Sequence, residues 1–200
     1  MKKILFLMVL LFFQITGCQS ILKMHYGITD PKAESAESLT RFLKKHHYPV
    51  ENFYVFKDST SYIKMVKDPH LKKYILSTMI INPDFKKIAT DSARCQWSGG
   101  YFVDHLKKDT VYQFDTFIDI EKLFSEIVAV PDPSTKLPVR GEFDFLVINT
   151  WAKFIGKMNE RLFETIPSAQ KRKDLRILVI NLNVDIQKSW NMTKSRIKKL

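Results

Sequence analysis

Apolar positions along the chain come in two patterns that alternate. One has the three-to-four-residue spacing of a helix face, and the other is a short continuous run of strand length. The span 31–47 reads as a helix, with Ser35 as N-cap, Leu39, Phe42 and Leu43 on one face and Pro49 beyond its end. Asn52 to Phe56 is rich in aromatic and β-branched residues and reads as a strand. Asp58-Ser59-Thr60 then offers a cap for a helix carrying Tyr62, Ile63, Met65 and Val66, closed by Asp68-Pro69. Ile75–Ile81 and Phe85–Ala89 flank Asn82-Pro83-Asp84, which predicts a hairpin. A short helix is expected over Tyr101–Leu106, a β-like stretch at Val111–Phe114, and a helix from Ile118 to Val128.

Beyond Pro131, Pro133 and Pro138 the same alternation resumes. Phe143–Thr150 reads as a strand. A helix is predicted through Ile155, Met158, Leu162, Phe163 and Ile166, ending at Pro167. Leu175–Leu182 is a second buried strand, and Asp185 is positioned to cap a last helix with Ile186, Trp190 and Ile197. Strands without internal polar alternation, each followed by a helix, predict an α/β layer architecture in which both sheet faces are covered. With 45% hydrophobic residues and only 6 glycines, the body can fill an ordinary core. Residues 31–200 therefore read as a single α/β domain, and the proline-rich stretch 131–142 is the one candidate internal break.

The N-terminus follows a different pattern. Lys2-Lys3 precedes an unbroken apolar run from Ile4 to Phe13, too short to span a bilayer, which takes about 20 residues. Small residues, Thr16-Gly17, then lead into Cys18. A basic start, an apolar middle and a small-residue end make a secretory signal. With the cysteine in that place, the segment resembles the lipobox of bacterial lipoproteins. The resemblance implies that residues 1–17 are a signal peptide and that Cys18 carries diacylglycerol and a further acyl chain such as palmitate. Residues 18–30 are then the lipidated N-terminus and a short tether. Gln19, in place of Asp, implies an outer-membrane location facing the periplasm.

Charge and cysteine usage narrow the partners. The formal charge of +11 falls to +9 without Lys2 and Lys3. For a tethered envelope protein, anionic lipid, envelope polysaccharide and other envelope proteins are the matching partners. The lysines are scattered, with small clusters at Lys171-Arg172-Lys173 and Lys194–Lys199, a distribution that gives no specific nucleic-acid site. The chain has 2 cysteines, so lipidation of Cys18 leaves Cys95 unpaired and excludes an internal disulfide. His46-His47 are adjacent and cannot point the same way on a helix. No metal-ligand spacing and no cofactor motif is present, so neither metal nor cofactor is expected.

The segment Phe145-Leu146-Val147-Ile148-Asn149-Thr150-Trp151-Ala152-Lys153-Phe154-Ile155-Gly156-Lys157-Met158 resembles thioredoxin. That family has an apolar strand, then Trp-Ala, then Trp-Cys-Gly-Pro-Cys opening a helix. Trp151, Ala152 and Gly156 fall on matching positions, and Phe154 replaces the second aromatic. Ile177–Asp185 is similar to the next family strand, which also ends near Asp. The resemblance implies a thioredoxin-like three-layer sandwich. Its two cysteines, however, fall on Ile155 and Met158, and without thiolates no dithiol–disulfide exchange can run. The hairpin that ends a thioredoxin domain is here predicted upstream, around Asn82-Pro83-Asp84, which implies a permuted or rearranged member.

Arg94-Cys95-Gln96-Trp97-Ser98-Gly99-Gly100-Tyr101 is the other concentration of chemistry. Arg94 would lower the Cys95 thiol pKa, and His105 could act as a base if the fold brought it round. Two readings follow. One is a tethered, non-catalytic binding or assembly module with a redox-dead thioredoxin-like fold. The alternative is an envelope enzyme using Cys95 as a single reactive thiol.

Overall fold

The computed structural model describes residues 23–48, 53–72, 74–89, 99–115 and 118–192. The segment predicted to be a signal peptide, Cys18, Cys95 with its neighbours Arg94 to Ser98, and the basic cluster 194–199 lie outside the described residues. The core is one mixed sheet of seven strands: β1 Phe53–Phe56, β2 Thr78–Ile81, β3 Lys87–Ile88, β4 Phe114–Asp115, β5 Ile127–Val130, β6 Phe145–Trp151 and β7 Ile177–Asn183. Their spatial order is β4-β3-β2-β6-β7-β1-β5. The β6–β7 and β7–β1 pairs are parallel, and β2 runs antiparallel to β6. At the two ends of the sheet the strands are antiparallel.

Side chains alternate across this sheet and meet helices on both faces. Tyr54, Phe56, Met79, Ile81, Leu146, Ile148, Ile180 and Leu182 point to one face, where Met65 of α2 (Ser59–Lys67) and Leu123 of α5 (Ile120–Ser125) complete the cluster. Phe53, Val55 and Trp151 point to the other, against Leu39 and Leu43 of α1 (Ala36–Lys45) and Phe163 of α6 (Asn159–Phe163). Ile80 and Phe145 also point that way, in a cluster with Leu106, while Val147 packs with Val103 of α4 (Gly99–Asp104) and Ala169 of α7 (Thr165–Lys171). All seven residues of β6 are buried, as expected of a central strand covered on both faces. Among the described residues no helix is long and apolar enough to cross a membrane.

Local signals set several boundaries as expected. Ser35 caps α1 by accepting from the Ser38 amide at 3.3 Å. The Asp58 carboxylate caps α2, taking the Thr60 and Ser61 amides at 2.8 Å each. Asp68 ends α2 and caps the one-turn α3 (Pro69–Lys72). The β2–β3 hairpin turns at Asn82, whose side chain accepts the amides of Asp84 and Lys86.

Three expectations are corrected. The helix predicted over 118–128 stops at Ser125, and Ile127–Val130 forms β5 along β1, its residues alternating between buried (Ile127, Ala129) and half-buried (Val128, Val130). Pro167 does not end a helix. It lies in the first turn of α7, where a missing N–H costs no hydrogen bond. Asp185 caps no helix: its side chain is buried, and only a 3₁₀ turn at Lys188–Trp190 follows among the described residues.

Candidate functional site

Three polar side chains line up across the centre of the sheet, joined by Thr165 of α7. Thr78 of β2, Asn149 of β6 and Asn181 of β7 share one register row. The Asn149 amide donates to Asn181 Oδ1 at 3.2 Å and to Thr165 Oγ1 at 2.6 Å, and its oxygen accepts from Thr78 at 3.0 Å. Both polar atoms of the Asn149 side chain have partners in this row, so it fixes register rather than awaiting a ligand.

One step toward the C-terminal end of β6 the chain leaves the sheet at Trp151-Ala152 and enters a 3₁₀ turn, Lys153–Met158. Gly156 breaks this turn with φ 56° and ψ −127°, a conformation suited to glycine. The Asn159 side chain holds the turn from below, donating to the carbonyls of Ala152 at 2.8 Å and Gly156 at 2.9 Å. From outside, the stretch 26–34 lies over it like a strap. The Thr29 amide donates to the Phe154 carbonyl at 2.8 Å, and Glu34 forms an isolated parallel bridge with Gln187. Lys153 ties the pieces together: its ammonium meets Glu34 Oε2 at 2.8 Å and Ser38 Oγ at 2.7 Å, and its amide donates to Asp185 Oδ2 at 2.6 Å. Burial pushes the Asp185 carboxyl up to about 6 and nearby Glu34 adds to the rise, against the lowering effect of the hydrogen bonds it accepts.

Between strap, α1 and turn lies a cleft of about 510 Å³, within the size range of small-ligand sites. Lys32 from the strap, Arg41 and Lys45 from α1, and Lys153 and Lys157 from the turn line it, against only Asp30 and Glu34. Tyr26, Phe42 and Phe154 form its aromatic walls, and Phe42 stacks on the buried Trp151 at 6.1 Å and 9°. Lys153 and Glu34 neutralise each other. No ion pair joins Lys32, Arg41, Lys45 or Lys157 to an acid among the described residues, although Arg41 exerts a longer-range pull on Glu37. A second cavity, about 420 Å³ near α2, α3 and α5, differs in this respect. There Lys64 pairs with Glu126 at 3.1 Å, Ser61 donates to the same carboxylate, and Asp68 and Asp119 are occupied as helix caps. Its three acids are all engaged within the protein, and besides Lys64 it carries only Lys67 and Lys122, whereas the first cleft is lined by four cations that have no ion pair among the described residues.

The positions that match the thioredoxin motif are brought together at the first cleft. Trp151 is wholly buried beneath it. Gly156 is part of its floor. Ile155 turns into the protein, and Met158 faces solvent at 43% exposure. His105 lies elsewhere, at the end of α4, where its Nδ1 is 2.7 Å from the Tyr101 carbonyl oxygen and its ring meets that of Tyr101 in a tilted contact at 4.1 Å. Its proposed partner Cys95 is outside the described residues.

Sequence reasoning did not single out Lys32, Arg41, Lys45 and Lys157. The available signal was weak: Arg41 and Lys45, like Lys153 and Lys157, are four residues apart, a spacing that puts a pair on one helical face. No family model matches the chain, and no curated protein or solved structure gives a significant match.

Proposed function

We propose that this protein is a lipid-anchored lipoprotein of the bacterial envelope, in the outer membrane facing the periplasm, whose body is a non-catalytic binding module with a permuted, redox-dead thioredoxin-like fold. The anchor rests on the sequence around Cys18. Two or more acyl chains hold a protein stably where one gives only marginal binding.

Topology supports the permuted reading. β6 runs into Trp151-Ala152, crosses through short helices and returns as parallel β7, while an antiparallel hairpin, β2–β3, pairs on the other side of β6 despite preceding it in the chain. The observation that carries the binding role is the cleft over Lys153–Lys157. At the place where the resemblance puts reactive thiols, the cleft presents aromatic walls and, besides the paired Lys153, four cations with no ion pair among the described residues.

Two measurements test this. Labelled palmitate should enter the wild-type protein in a bacterial host and not the Cys18→Ala variant; equal labelling of both would refute the anchor. Alkylation of Cys95 in the folded Cys18→Ala chain, followed against pH, should be slow and speed up only on denaturation. A fast reaction with a midpoint well below the ordinary thiol value of about 8.5 would replace the binding module with the single-thiol enzyme.

A further inference from the structure

We propose that the cleft between α1 and the Lys153–Lys157 turn binds a phosphate group, the anionic part of either a membrane lipid headgroup or a soluble phosphate ester. This deepens the binding-module reading and rests on it.

Charge is the first argument. Arg41 and Lys45 stand one turn apart on α1, and Lys32 and Lys157 enter from the other two walls. Asp30 is the one lining acid not already engaged by a lysine of the cleft. Four cations facing one carboxylate repel each other at rest, and a bound phosphate relieves that repulsion. The guanidinium of Arg41 offers a planar fork suited to two phosphate oxygens, and the lysines act as point charges around it.

The walls are the second argument. Tyr26, Phe42 and Phe154 give an apolar lining on which the carbon part of an ester can rest, so the lining suits an organic phosphate better than a bare ion. Reach is the third. Tyr26 is eight residues past Cys18, so even a fully extended tether would hold the cleft within about 29 Å of the lipidated residue. If Cys18 is acylated, headgroup phosphates are the nearest and most concentrated source. The competing account is that these lysines merely solvate the surface, as the scattered lysines elsewhere do.

The test is calorimetric titration of the whole chain, held in non-ionic detergent, with dihexanoylphosphatidylglycerol and separately with glycerol phosphate. Binding of the lipid should weaken at least about tenfold in a Lys45→Gln/Lys157→Gln variant, because charge-assisted hydrogen bonds are lost. It should be unchanged in Lys107→Gln/Lys136→Gln, which removes two exposed lysines outside the cleft. Displacement of the lipid by glycerol phosphate at similar concentration would identify soluble esters as an equal source, and failure to displace it would assign the site to headgroups. The proposal is overturned if neither probe binds, if the cleft variant binds as wild type does, or if both lysine pairs weaken binding equally. The titration does not require acylation of Cys18, so a negative result here leaves the anchor standing, and loss of the anchor leaves this site standing.

Discussion

Replacing Gly156 with alanine is expected to cost the fold about 2–4 kcal/mol and to lift the strap off the 3₁₀ turn. Two separate effects add. A residue with a Cβ held at φ 56° and ψ −127° carries backbone strain of about 1–3 kcal/mol. The new methyl would also fall within van der Waals distance of the Tyr26 carbonyl oxygen and 2.6 Å from that of Gly27. Those atoms belong to the backbone and cannot rotate away, so the strap must shift. Its hydrogen bond from Thr29 to Phe154 is then at risk, for about another 1 kcal/mol. Urea unfolding reads the total, and amide exchange at Thr29 reads the strap. Unchanged stability together with an unchanged Thr29 amide would show that the close approach of strap and turn is not needed.

Asp185→Asn is expected to remove a pH dependence of about 3 kcal/mol between pH 4 and 7.5. The Asp185 carboxyl is pushed from an ordinary 3.8 up to about 6 in the folded protein, chiefly because it is buried. An acid with a raised folded pKa binds its proton more tightly in the native than in the unfolded state. Its contribution to stability is therefore complete below about 3.8 and is lost as pH rises through about 6. A rise of about 2 units corresponds to about 3 kcal/mol. Asparagine has the same shape and no charge, and its oxygen can stand where Asp185 Oδ2 accepts both the Lys153 amide and the Asn183 side chain; the Phe154 amide is a further donor to this carboxylate. Asp144 and Asp174 lie below their ordinary values and oppose this slope in more acidic solution, but they are common to both proteins. The difference in unfolding free energy between variant and wild type should shift in the variant's favour by about 3 kcal/mol from pH 4 to 7.5. A difference that stays constant across that range would mean Asp185 is ionised throughout.

Both predictions concern features whose signals lie in tertiary contacts. Where an element is fixed by its own neighbours, the chain could be read directly. Ser35 and Asp58 sit at helix starts because a short polar side chain just ahead of an apolar face can take up free amides, and Asn82-Pro83-Asp84 turns the chain for equally local reasons. β6 was legible as an apolar run because both its faces are covered, and β7 because its second half is buried in the same way. β5 was not. Ile127–Val130 continues the apolar pattern of the preceding helix, and what makes it a strand is β1, paired with it from more than 70 residues upstream. Asp185 looked like a cap because the chain after it is amphipathic; only the turn at Lys153, brought beside it by the β6–β7 pairing, draws its carboxylate inward. The cleft cations were hidden for the same reason. Each is one lysine or arginine among 32, and they become a set only when the adjoining strap and α1 meet a turn far along the chain.

The position of β7 governs when this chain can fold. It fills the gap between β6 and β1, and its contact with β1 pairs Tyr54 with Leu182, residues 128 apart in the chain. Contacts of such long range are slow to form, because a large loop must close before any of them is gained. A chain that emerges N-terminus first, from ribosome or translocation channel, exposes β1 and β2 long before the strands that cover them exist. Until residues 177–183 arrive, β1 and β6 each present an open, largely apolar edge, the kind of surface on which chains join one another. The interval between the first strand and the last is thus the period of greatest aggregation risk, and its length is set by the order of strands in the sequence.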